Sequence, residues 1–299
     1  MNASVVSIQQ PQVASLSSSA VLVNLTIGVW TAQKKAANVA RDAEMRSGAT
    51  GKALDAKKFL LGDCLEHKEL TNYRSMVRGW YLAHTLPWDD SGLRLLPASY
   101  MFEFNQTIAD FERGFYDRRD TLLNAYSYAI QAAQFSMGSL FSHDDYPDPE
   151  VLKDKFYFRL AHTPVPEVGD FRVDIGVSGM QEAMLGFKAQ ADRIVQDVAR
   201  TNWERLHDVL STMSNQLRVK GAGGAETTGK LYDSTLESLL QLCDMLTDFN
   251  LTNDPELEKI RRDLKMTMQG VNLDELKKDD RARLSVKAEV DDILSKISF

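Results

Sequence analysis

Cysteine is almost missing from this 299-residue chain, which has only Cys64 and Cys243. The two are far apart, so no disulfide framework and no CxxC metal site can be built from them. A reduced cytoplasm is the expected compartment. No run of about 18 apolar residues occurs, which excludes an ordinary transmembrane helix. Positive charge is not in excess: a formal net charge of -7 and a pI near 5.4 argue against a general nucleic-acid coat. Residues 1–20 contain no Lys or Arg, hence no basic signal region, and read as a loose tail. What the chain does have is 43% hydrophobic residues, enough for a sizeable core.

Proline is scarce too, and two of the eight, Pro87 and Pro97, bracket the stretch that organises the chain. Thr85-Leu86-Pro87-Trp88-Asp89-Asp90-Ser91-Gly92-Leu93-Arg94-Leu95-Leu96-Pro97 interrupts two long helical patterns with prolines, a glycine and paired aspartates. The chain must turn here. Leu86, Trp88, Leu93, Leu95 and Leu96 require the corner to be packed, since each large side chain gains roughly 1.5–3 kcal/mol on full burial.

Ahead of the corner, Val21–Thr31 alternates with a period of two and predicts a strand. Ala32–Met45 predicts a short helix, and Leu54–Ala83 a longer one ending at the corner. After it, Met101, Phe104, Ile108, Phe111, Phe115, Leu122, Ala125 or Tyr126, Ala129, Ala133, Met137 and Leu140 recur by threes and fours. Such a stripe predicts a helix lying along a partner for its full length, and Ser178–Arg218 is the expected partner. Between them, Phe156–Thr163 and Asp170–Gly176 alternate around a Pro and Gly loop and predict a β-hairpin, with Val21–Thr31 as a third strand. Asp148-Pro149 and Asp254-Pro255 read as helix starts.

The expected fold class is therefore mainly α: a long antiparallel, coiled-coil-like helical hairpin with a small β insertion and a C-terminal helical segment. The expected organisation is a tail at 1–20, a helical core at 21–218, a Gly-rich linker at 219–230 and helices over 231–299.

Motifs for chemistry are few. Gly224–Lys230 has the glycine-to-lysine spacing of a phosphate loop, but a helical pattern precedes it and Leu231 stands where a Mg²⁺-binding hydroxyl belongs. The five histidines lack zinc spacing, and His143–Asp148 lacks the ligand rhythm of a Ca²⁺ loop. No metal, cofactor or catalytic residue is assigned. The aromatic stripe Phe102, Phe104, Phe111, Phe115, Tyr116, Tyr126, Tyr128 and Phe135, with Arg113, Arg118 and Arg119 among it, could stack nucleobases, but its spacing is that of a buried seam. A corner cluster of His84, Trp88, Asp89, Asp90 and Arg94 would be an enzyme site only if these groups faced one pocket. Arg159, Arg172 and Asp174 form a candidate contact surface at the tip of the predicted β-hairpin.

Leu25–Thr31, the corner Thr85–Pro97, Asp145-Tyr146-Pro147 and Gly169–Val173 together resemble an uncharacterised bacterial and phage family, the domain of unknown function numbered thirty-one fifty. The resemblance covers about residues 21–218 and brings no catalytic residues with it. It implies company with MoxR-type AAA ATPases and von Willebrand-type proteins in phage or bacterial operons. The leading expectation is a non-enzymatic adaptor or assembly factor acting through protein contacts, without a membrane. The alternative is a nucleic-acid-binding protein of phage replication or host takeover.

Overall fold

The computed structural model describes residues 16–166, 176–222, 227–251, 253–268, 271 and 273–297. Along the chain these form helix α1 (Leu16–Ser19), strands β1 (Ala20–Gly28) and β2 (Gln33–Lys35), helix α2 (Ala37–Ser47), strand β3 (Lys57–Phe59) and helix α3 (Leu65–Ala83). Next come strands β4 (Leu86–Pro87) and β5 (Arg94–Pro97), the long helix α4 (Met101–Met137), helix α5 (Pro149–Lys153) and strand β6 (Tyr157–Pro164). A second long helix, α6 (Gly176–Gln216), precedes α7 (Asp233–Phe249), α8 (Pro255–Met268), α9 (Leu273–Lys278) and α10 (Asp280–Lys296). The protein is mainly helical with a small antiparallel sheet of order β4-β5-β1-β6 and a separate pair β2-β3.

Two compact units emerge. One holds residues 16–23, 84–101 and those described from 162 onward; the other holds Asn24–Ala83 and Phe102–Ala161.

In the first unit the corner is a β-hairpin as well as a turn. Leu86 faces Leu95 and Pro87 faces Arg94, while β5 pairs with the start of β1 from Ala20↔Pro97 to Val23↔Arg94. Leu86, Leu95 and Leu96 are fully buried, as the leucine-rich corner requires. Gly92 takes a positive φ of 98° in the turn, where a side chain would be strained. The rest of the unit is built on α6. Leu206, Leu210 and Met213 on its inner face, with Leu217 just past its end, join Leu239, Cys243 and Leu246 of α7, Leu257 and Leu264 of α8, Leu276 of α9, and Val290 of α10 in one cluster. The helices after 231 therefore share a core with α6 across residues 219–230. Asp254 caps α8 as its Asp-Pro start predicts, its Oδ1 accepting the Glu256 and Leu257 amides at 2.9 and 3.2 Å.

The second unit is organised on α4, whose first turns pack on α3 through Phe104 and Phe111. Trp80 stacks on Phe104 at 5.4 Å and meets Phe111 edge-on at 5.1 Å; Tyr73 meets Phe111 edge-on as well. Phe104, Ile108, Phe115, Leu122, Tyr126 and Ala133 are buried, at the positions the three-and-four spacing selects.

Three sequence expectations need correction. The helix expected over Leu54–Ala83 begins only at Leu65, because Lys57–Phe59 pairs as a strand with Gln33–Lys35 and Gly62 takes a positive φ of 51°. The helix expected from Ala32 begins at Ala37, behind that same strand β2. The corner expected as a plain turn contains the β4-β5 ladder. Of the predicted β-hairpin, the first strand is β6; the second, Asp170–Gly176, falls on residues 167–175, outside the described residues, apart from Gly176, which opens α6.

Candidate functional site

The corner residues do not gather into one constellation. Asp89 closes the hairpin turn: its Oδ1 accepts the Ser91 amide at 2.9 Å, the Ser91 hydroxyl at 2.7 Å and the Leu93 amide at 3.2 Å. Asp89 and Asp90 are exposed at the tip, and Trp88 is half-buried. His84 points elsewhere and stacks on Tyr100, with ring centroids 6.1 Å apart. Arg94 turns back on the strand before it, donating to the Thr85 hydroxyl at 2.5 Å and its carbonyl at 2.9 Å.

A residue with no local sequence signal completes this arrangement. Arg205, on α6, donates to the same Thr85 carbonyl at 2.7 Å from 120 residues away. Burial pushes the Arg205 guanidinium down to about 10, and the neighbouring Arg94 cation adds to the effect. Beside it, Asn202 donates to the Phe249 carbonyl at 2.9 Å and the Trp203 indole N–H donates to Asp254 at 3.1 Å. These bonds tie the corner and the end of α7 to one stretch of α6. They position backbone.

Among the described residues no group of three or more His, Cys, Asp and Glu could hold a metal ion. Nor is any helix there long and apolar enough to cross a membrane. Of the phosphate-loop match, residues 224–226 lie outside the described residues; the Thr228 hydroxyl accepts the Lys220 amide at 3.1 Å, and the Lys230 ammonium lies 5.1 Å from the Tyr232 ring centroid. Arg159 is exposed, its guanidinium 4.6 Å from the Tyr157 ring centroid, whereas Arg172 and Asp174 lie outside the described residues.

The surface that stands out is on α4. The aromatic stripe read as a seam divides: Phe104, Phe115 and Tyr126 are buried, but Tyr128 is 75% and Phe135 90% exposed. Seven residues separate these two, so they share one helix face. Thr121, Asn124, Gln131 and Ala132 are exposed on the same half of the helix. Residues 121–142 contain no Asp, Glu, Lys or Arg, while the preceding half of α4 carries Glu103, Asp110, Glu112, Arg113, Asp117, Arg118, Arg119 and Asp120. A solvated helix face normally carries charge. This one carries aromatic rings and amides, the composition of protein-binding cores. The sequence did hold the signal, in the charge-free stretch, but periodicity alone assigned its aromatics to a seam.

No family model, curated protein or solved structure matches the chain.

Proposed function

We propose that this protein is a non-enzymatic phage or bacterial adaptor or assembly factor whose α4 face, centred on Tyr128 and Phe135, takes a protein partner. The observation that carries this reading is two large aromatic side chains held in water on an uncharged helix surface. Burying each would contribute about 1.5–3 kcal/mol, enough for a pair to act as an affinity hot spot. Because no ion pairs are available from residues 121–142, the fitting partner presents an apolar, uncharged surface of its own. The family resemblance of the corner residues supplies the first partners to try, a MoxR-type AAA ATPase and a von Willebrand-type protein. The coiled-coil-like hairpin of α4 and α6 is not part of this reading: α4 packs in part on α3, and α6 shares a core with α7, α8, α9 and α10.

The test is quantitative co-purification from producing cells with wild type and Phe135→Glu compared side by side. A partner retained by wild type and lost with the variant supports the reading. Equal recovery by both proteins, or no specific partner at physiological salt, refutes it.

A further inference from the structure

The pair of strands β2 and β3 opposes like charges. Its register sets Lys34 across from Lys58 and Lys35 across from Lys57. Like charges directly opposite on an antiparallel pair are unfavourable unless something neutralises them. One face of the pair has its counter-ion: Lys34 donates to Asp145 at 2.6 Å, and Lys58 pairs with the other oxygen of the same carboxylate. Lys58 also donates to the Leu140 carbonyl at 3.0 Å.

Side chains alternate along a strand, so Lys35 and Lys57 lie on the opposite, outer face. Both are exposed, and no carboxylate pairs with either among the described residues. Phe59 shares that face two residues beyond Lys57 and is 60% exposed, with Gln33 directly across from it. The region is locally basic in an acidic chain. Lys34, Lys35, Arg41, Arg46, Lys52, Lys57 and Lys58 stand against Asp42, Glu44 and Asp55 between residues 33 and 60.

The strand pair is also firmly seated. Buried Ala32 takes a positive φ of 50° at its base, a conformation that L side chains resist, and its carbonyl accepts the Leu60 amide at 2.7 Å. The Tyr146 hydroxyl donates to the Leu60 carbonyl at 2.8 Å. The outer face thus carries two unneutralised ammonium groups and one exposed ring on a fixed support.

We infer that the outer face of β2-β3, through Lys35, Lys57 and Phe59, binds single-stranded nucleic acid. The lysines bridge successive phosphates, and the ring stacks on an unpaired base, a chemistry indifferent to sequence. Duplex fits less well, because its bases present no free face to Phe59. This site uses none of the residues of the α4 face, and either can fail without the other.

Fluorescence anisotropy with labelled oligothymidine and oligouridine tests it on the full chain, from about 50 mM to about 200 mM salt. Wild type binds, with affinity falling as salt rises. Lys35→Gln with Lys57→Gln weakens binding and lowers the salt slope by about 1.4, as expected for two lost phosphate contacts on a single strand. Phe59→Ala weakens binding roughly tenfold at every salt concentration. The double lysine variant does not lower the melting midpoint, since it relieves a repulsion, which separates lost binding from lost folding. Absence of binding at low salt, unchanged binding by both variants, or preference for anionic lipid vesicles or an acidic peptide would overturn the assignment.

Discussion

Replacing Arg283 by methionine tests how residues 216–229 are held. Arg283, on α10, is only 5% exposed, and its Nη2 donates to the Gln216 carbonyl at 2.9 Å and the Gly229 carbonyl at 2.7 Å. Gln216 is the last residue of α6, so the guanidinium satisfies a carbonyl that the helix itself cannot, at the end where a cation is favoured. Gly229 lies so close that a Cβ there would overlap the Asn215 and Gln216 carbonyl oxygens, and its amide donates to the Arg218 carbonyl at 2.7 Å. Two charge-assisted bonds are worth about 1.5–3 kcal/mol each. Against that stands the cost of burying a cation whose Nε has no hydrogen-bond partner, which methionine of similar length avoids. The net expectation is a loss of about 2 kcal/mol, roughly thirtyfold in the folding equilibrium. Urea unfolding gives the stability, and hydrogen exchange at the Gly229 and Lys220 amides shows whether the loss is local. A change below about 0.5 kcal/mol with unaltered exchange would refute the latch.

Asp145→Asn should destabilise by about 2 kcal/mol at neutral pH, because it leaves Lys34 and Lys58 facing each other beside a side chain that is only 5% exposed. Burial pushes the Asp145 carboxyl up, but the Lys34 and Lys58 hydrogen bonds outweigh it and hold it below the usual carboxylate range. Its stabilisation is therefore present above the ordinary carboxylate pKa and lost as pH falls through the lower folded value; urea unfolding across acidic pH should show wild type and variant converging. Tyr126 behaves in the opposite sense. Burial, with Tyr146 and Asp148 adding to it, raises its phenol to about 12 while its hydroxyl donates to the Pro147 carbonyl at 2.9 Å. Its contribution is full below about 10 and fades as pH rises toward the folded value, so Tyr126→Phe should flatten the alkaline fall in stability. Burial raises both thiols, Cys243 to about 11, but Cys64 is half-buried and Cys243 buried, so a thiol reagent should label Cys64 first and reach Cys243 only when the protein unfolds.

Much of the fold was legible where one physical signal dominated. The alternation in Val21–Thr31 gave β1, the three-and-four stripe gave α4, and Asp254-Pro255 gave the start of α8. The leucines of the corner announced burial, although the β4-β5 ladder could not be read from two-residue and four-residue strands. Strands β2 and β3 were invisible because Gln-Lys-Lys and Lys-Lys-Phe carry no apolar alternation; distant Asp145 holds them in place. The same limit applies to the corner. Local spacing gathered His84, Asp89, Asp90 and Arg94, but the structure uses Asp89 in a turn and pairs Arg94 with Arg205, 111 residues further along the chain, at Thr85. A periodic stripe says which residues could be buried, not which partner is long enough to cover them. Tyr126 and Ala133 are buried two residues before Tyr128 and Phe135, which therefore sit on the opposite, uncovered side of α4.

Photo-crosslinking in producing cells tests the contact role most directly, with a photoreactive phenylalanine placed singly at positions 128, 135 and 113. Arg113 serves as the control because it is exposed in the charged half of the same helix. A discrete protein adduct from 128 and 135, absent from 113, is the predicted result; no adduct from either aromatic position, or the same adduct from all three, would contradict it.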